Sequence, residues 1–365
     1  MLLCAAVGLS VAFERVRAHA RPAYTSPPRQ RPSPVRSDTN PEPIHANTVI
    51  VLVIDGIRWQ EVFTGVDRSL ARIHGFAGTP RTASELVPNL HLLRTEAGAA
   101  VGAPGVGHTL RASGPVYRSL PGYMELLSGR PAEYCLSNRC GSVRSPTLID
   151  RVGEHAPGAA ALFGSWPHLI HAAALQPERG MVSTGRSGGT NLELLYRSQL
   201  RASLRVRAAA AGPAPSKGDF RGDAFTAALA LDYLNHERPR LLFVSVGEAD
   251  VWGHANNYGA YLAALQRADA FAGELLAAST RLNRAGHRTT LIVTTDHGRD
   301  RRAREHGPGI PESGRVWAIA GGFGVNARGD VPLEQPRTLS AIAPSVLCLL
   351  GLGAAEAGLP ELFSC

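Results

Sequence analysis

The sequence predicts an α/β fold: a mostly parallel central sheet with helices on both faces. Two observations predict it. Short, continuous runs of apolar and β-branched residues recur along the chain, of the kind buried on both faces of a parallel sheet. Between them lie segments whose apolar residues repeat at helical spacing. With 365 residues and 44% apolar content, the chain has enough material for one large domain with a real core.

Taken in order, Met1 to Phe13 is apolar, about the length of a signal-peptide core and too short to span a bilayer, so no transmembrane span is expected here. Ala18-His19-Ala20 resembles a small-x-small cleavage site, and residues 1–20 are read as a signal peptide of a periplasmic or secreted protein. No basic residue precedes the apolar stretch, and a tail without a core is the other reading. Residues 21–46 are rich in Pro, Ser and Arg and read as a linker. The domain proper is expected over 47–365. Its first strand is Asn47 to Ile54, and similar runs follow at Ala160 to Phe163, Leu241 to Val246, Thr290 to Thr294 and Val316 to Ala320. The clearest helix is Tyr258 to Ala278. A last helix is expected over Leu339 to Leu350, with Gly351 as its stop. About 165–225 the pattern loosens, and this segment reads as a cap, a variable insertion or plain surface.

The net charge of +8 and pI near 9.6 come almost entirely from arginines spread over the whole chain. No nucleic-acid-binding motif accompanies them, so nucleic acid is not expected as a main partner, whereas an anionic small molecule suits the field. Of five cysteines, Cys135 and Cys140 bracket a short polar loop and are candidates for a local disulfide. Cys348 lies in an apolar run and reads as a small buried hydrophobe. No Cys-x-x-Cys spacing indicates a thiolate zinc site.

Chemistry gathers at the strand ends. Asp55 follows the first strand, Asp250 and His254 follow the third as Asp-Val-Trp-Gly-His, and Asp296 and His297 follow the fourth as Asp-His-Gly. His306 comes a short loop later. In an open α/β sheet these ends converge, and mixed carboxylate and imidazole donors suit zinc or manganese. Singly, each has a plainer explanation: Asp55 as a helix N-cap, His306 as an ordinary surface histidine. Ser119, just before Pro121 and Gly122, is expected at a helix N-terminus, where backbone N–H groups favour a phosphate or a forming alkoxide. Its plain reading is again an N-cap. Arg299, Arg301, Arg302 and Arg304 are read mostly as a solvated loop.

With these motifs in order, Asp55-Gly56, Ser119-x-Pro121 closed by Ser128-Gly129, Asp250-x-x-Gly-His254, Asp296-His297-Gly298 and His306-Gly307, the chain resembles the alkaline phosphatase superfamily, in its type I phosphodiesterase and nucleotide pyrophosphatase branch. The resemblance covers about Asn47 to Gly353. It implies an alkaline phosphatase-like core and two divalent metal ions, zinc by the donor set, with manganese the other choice. One would be held by Asp250, His254 and His306, the other by Asp55, Asp296, His297 and the Ser119 oxygen. It further implies hydrolysis of a phosphate mono- or diester through a covalent phosphoserine at Ser119. A sulfatase-like hydrolase would carry Arg where this chain has Tyr123. A phospho-group transferase of the superfamily would use the same nucleophile, and a mutase would need a second large domain between Ser119 and Asp250. An inactive binding protein on this fold is the reading from another class. Substrate-contacting residues and oligomeric state do not emerge from the sequence.

Overall fold

The structure is a computed structural model that describes residues 47–75, 81–191, 218–326, 328–353 and 357–364. The expected leader 1–20 and linker 21–46 lie outside these residues, as does the middle of the 165–225 segment.

Among the described residues, twelve strands form two sheets. The large one has nine strands in the order β11-β2-β10-β8-β1-β7-β4-β5-β6. These are β1 Thr48–Ile54, β2 Gly98–Val101, β4 Ala160–Gly164, β5 Met181–Thr184, β6 Gly188–Thr190, β7 Leu241–Val246, β8 Thr289–Thr294, β10 Ala318–Gly322 and β11 Gly329–Asp330. Its centre, β8-β1-β7-β4-β5, is entirely parallel, while β10 and β6 run antiparallel to their neighbours. The small sheet joins β3 Leu110–Arg111, β9 Arg315–Val316 and β12 Arg337–Thr338 in the order β12-β3-β9.

Strand β1 shows why the fold is layered. All seven of its residues are buried. Val49, Val51 and Val53 join one core cluster with Leu120, Tyr123 and Ile342, while Ile50, Leu52 and Ile54 join another with Tyr261, Leu265 and Leu275. Successive strand side chains point to opposite faces, so the sheet is covered on both sides. One cover contains the helices Ser119–Ser128 and Ile342–Leu349, and the other contains the 27-residue helix Tyr258–Arg284. No helix among the described residues is long and apolar enough to cross a membrane.

Two expectations change, those for the run Val316 to Ala320 and for Cys348. The run Val316 to Ala320 is not one strand. It divides at Trp317, because Val316 pairs with β3 in the small sheet while Ala318 pairs antiparallel with β8 in the large one; between them the buried Trp317 donates its indole N–H to the Ile57 carbonyl at 3.2 Å. The segment at 165–225 contributes, in its described part, β5 and the edge strand β6. Cys348 is half-buried and disulfide-bonded, not an isolated hydrophobe; its short apolar helix leaves one side open to such a partner. The final helix ends as expected at Gly351, which has φ +70°. The Cys135–Cys140 disulfide is present.

Candidate metal centre and nucleophile

Three adjacent parallel strands place the strand-end residues together. Asp55 leaves β1, Asp296 and His297 leave β8, and the Glu248–His254 helix after β7 carries Asp250 and His254 on one side, four residues apart. His306 arrives on the following loop. His306 Nδ1 lies 2.9 Å from the Tyr117 carbonyl and His297 Nδ1 lies 2.9 Å from that of Gly298. A carbonyl only accepts, so each Nδ1 carries the proton and each Nε2 presents a lone pair to the site.

His297 Nε2 lies 3.2 Å from Ser119 Oγ, 3.5 Å from Asp55 Oδ1 and 3.4 Å from Asp296 Oδ2. His254 Nε2 lies 2.9 Å from His306 Nε2 and 3.5 Å from Asp250 Oδ2, and His306 Nε2 lies 3.5 Å from Asp250 Oδ1. Among the described residues, Asp55, Asp296 and His297 form one group whose ligand atoms lie within 4.8 Å of one another, and Asp250, His297 and His306 form a second. All six strand-end residues singled out in the sequence thus converge, with His297 between the two groups.

The electrostatics of this cluster call for cations. Burial, then the neighbouring Asp296 and Asp250 carboxylates, push the Asp55 carboxyl well above its ordinary range. Burial pushes Asp296 up to about 7. Burial lowers His297 to about 4 and His306 to about 3, so both imidazoles are neutral near pH 7. Burial also acts on Asp250, but Arg299 and then the histidines hold its carboxyl below the usual range. Asp296 Oδ2 is buried with no hydrogen-bond partner, and His254 and His306 bring their Nε2 atoms within 2.9 Å of each other. An orphaned buried carboxylate oxygen beside converging imidazole nitrogens fits divalent cations.

Ser119 is the first residue of the Ser119–Ser128 helix and is 4% exposed. The N-cap is Arg118, so the plain capping reading of Ser119 does not hold; its hydroxyl instead lies against His297 and 3.4 Å from Asp55 Oδ1. Asp55 likewise caps no helix. Pro121 sits in the first turn, where its missing N–H costs nothing. The backbone donors expected there are fewer than the sequence indicated. Pro121 has none, and Leu120 N–H donates to Asn138 Oδ1 at 3.0 Å. Asn138 belongs to the Cys135–Cys140 loop, so this crosslinked loop sits on the start of the Ser119–Ser128 helix. At the other end, the buried Glu125 carboxylate accepts from Ser113 N–H and hydroxyl and from Ser340 N–H, tying the helix to two loops.

Two further residues shape the site. Tyr123, one turn after Ser119 and fully buried, donates to Asp55 Oδ2 at 3.1 Å and meets Ser245 Oγ at 2.6 Å. Arg299 departs from the solvated-loop reading. It is buried and binds Asp250, Gly56 O and Arg304 O, whereas Arg301, Arg302 and Arg304 are exposed.

Comparison with known proteins gives the same frame. A family model described as the Metalloenzyme superfamily matches residues 223–354, the part carrying Asp250, His254, Asp296, His297 and His306. Over 129 residues the chain is 30% identical to the 2,3-bisphosphoglycerate-independent phosphoglycerate mutase of Synechococcus elongatus, covering 31% of this chain and 21% of that one. The match thus spans about a fifth of the length of these curated relatives. Among solved structures, a mutant of the alkaline phosphatase PafA aligns with a TM-score of 0.55 and 11% identity, over 87% of this chain and 99% of that one. The PsFucS1 sulfatase from Pseudoalteromonas sp. aligns with a TM-score of 0.52 and 16% identity, over 84% and 68%. At these identities the shared property is the fold.

Proposed function

On the premise that the chain belongs to the alkaline phosphatase-like superfamily, we propose that it is a metal-dependent hydrolase of phosphate esters with Ser119 as nucleophile. The observation that carries this reading is the Ser119 hydroxyl, buried at a helix start within 3.2 Å of His297 Nε2 and 3.4 Å of Asp55 Oδ1.

The ligand sets in this reading are Asp55, Asp296, His297 and Ser119 for one cation, and Asp250, His254 and His306 for the other. When bound, two such cations supply Lewis-acid charge stabilisation for an in-line phosphoryl displacement and a lowered pKa for the serine hydroxyl; oxygen and nitrogen donors without thiolate suit zinc, with manganese next.

This chain's own residues do the rest. The helix start aims Ser119 Oγ at phosphorus. Attack forms the Oγ–P bond as the P–O bond to the leaving alcohol breaks, and the departing oxygen takes a proton. Water then attacks the phosphoserine, releasing phosphate and restoring the hydroxyl. Tyr123 keeps Asp55 oriented throughout. The Asn138 amide nitrogen, whose oxygen is committed to Leu120, and the Arg118 guanidinium, whose buried Nε has no hydrogen-bond partner, are the donors available to anionic substrate oxygens. The crosslink at 135–140 and the bonded Cys348 favour an oxidising compartment and hence an exported protein.

The test is turnover of p-nitrophenyl phosphate, bis-p-nitrophenyl phosphate and p-nitrophenyl sulfate with added zinc or manganese. Hydrolysis of a phosphate ester, abolished by chelator and restored by metal, is the expected result. Activity persisting in excess chelator overturns the metal dependence, and turnover of the sulfate alone overturns the substrate class.

A further inference from the structure

Arg299 is a buried guanidinium committed to one side of the site. Its Nη2 donates to Asp250 Oδ1 and, at 2.8 Å, to the Asp250 carbonyl; its Nε donates to Gly56 O at 3.1 Å and its Nη1 to Arg304 O. Two motif glycines make the room. A Cβ at Gly253 would lie 2.6 Å from Arg299 Cζ, and one at Gly56 would lie 2.7 Å from Asp250 Oδ1 and 3.2 Å from Arg299 Nε. The glycines of Asp-Gly and Asp-x-x-Gly-His are therefore walls of a cradle for this side chain.

The consequence is an imbalance between the donor groups. Asp55 and Asp296 bring two carboxylates with no cationic side chain bonded to either. Asp250 brings one, and the permanent charge of Arg299 sits on it. Arg299 engages Oδ1, the oxygen that also lies 3.5 Å from His306 Nε2, and leaves Oδ2, 3.5 Å from His254 Nε2, as the Asp250 oxygen without a guanidinium on it. His254 is itself exposed, with 42% of its side chain accessible. We propose that Arg299 is a positioning residue that holds Asp250 to a one-oxygen presentation and offsets its charge, so that the Asp250/His254/His306 group takes a divalent cation more weakly than the Asp55/Asp296/His297 group. Ligand charge count and rigidity set metal affinity, and the difference amounts to on the order of a hundredfold in Kd. This rests on the two-metal reading above.

The experiment is competition titration of the metal-free full chain with zinc against a chromophoric chelator, with bound zinc counted by mass spectrometry after dialysis. The wild type should show two steps on the order of a hundredfold apart. Asp250→Asn should retain one tightly held zinc, and Asp296→Asn one loosely held zinc. Arg299→Met should narrow the gap to below about tenfold by strengthening the weaker step. Should that variant fail to fold, the wild type and the two Asn variants decide alone. Two equal steps, or a loosely held zinc surviving in Asp250→Asn, overturn the inequality and leave the hydrolase reading standing. No bound zinc or manganese at all overturns the hydrolase reading itself.

Discussion

Gly122 offers the sharpest test of how Ser119, the proposed nucleophile, is placed. It lies one helical turn from Ser119, and a Cβ built there would sit 2.6 Å from the Asp296 carbonyl oxygen and 3.2 Å from Asp296 Cβ. In Gly122→Ala the helix and the end of β8 must separate by about half an ångström or more before that contact becomes tolerable. Both partners are constrained, since the helix is anchored through Glu125 and Asp296 is flanked by Thr295 and His297, all buried. The alanine gains about 1 kcal/mol of helix propensity and loses about 1–3 kcal/mol to overpacking, so net stability falls by about 0–2 kcal/mol. The catalytic cost is larger. The displacement separates Ser119 from Asp296 and His297, and misplacement on this scale costs on the order of ten- to a hundredfold in rate. Phosphate-ester kcat, zinc content and thermal melting measured on one preparation make the assay. A large fall in kcat with zinc retained and a melting shift of only a few degrees is expected. Unchanged kcat would refute the claim that this contact sets the distance between nucleophile and donors.

Other perturbations probe single links. Ser119→Ala should remove turnover while leaving zinc stoichiometry intact; a fully active variant would mean the nucleophile lies elsewhere. Tyr123→Phe deletes the donor to Asp55, with an expected loss of about 1–3 kcal/mol in stability and about 10–100-fold in metal affinity, read by melting and chelator competition. Unaltered affinity would make Tyr123 mere packing. The metal-free protein should also be sensitive to pH. Asp296 is raised from 3.8 to about 7 by burial, so the folded state binds this proton more tightly than the unfolded one. Its contribution is complete below the unfolded pKa and is lost as pH rises through the folded one. His297 and His306, lowered by burial to about 4 and about 3, act in the opposite sense, so the Asp296 contribution is read against Asp296→Asn: in chelated protein the melting temperature of the wild type relative to that variant should fall from about pH 4 to about 7. A difference that stays flat or rises over that range would contradict the reading of Asp296 as a carboxyl raised by burial.

Much of the architecture was readable in the primary sequence because its signals are local. The runs at 241–246 and 290–294 are β-branched and apolar, and each is short enough to be a strand and nothing else. The site residues were legible for a related reason: parallel strands place their carboxyl ends at one edge, so Asp55, Asp250 and Asp296 had to meet once the strands were identified. Short edge strands were not legible. Gly188–Thr190 and Gly329–Asp330 carry glycine and little apolar content, and only pairing with a preformed neighbour makes them strands. The division at Trp317 was hidden because both halves of the run are equally apolar.

The amino-acid order by itself determined the sheet, the donor types and the serine that faces them, since each depends on a residue and its near neighbours. Only the tertiary structure decided what holds them. Tyr123 on Asp55, Asn138 on Leu120, Arg299 on Asp250 and the contact of Gly122 with the Asp296 backbone join segments that spacing along the chain does not relate. Such contacts are set by close packing around buried polar groups, which must find partners wherever the fold brings them.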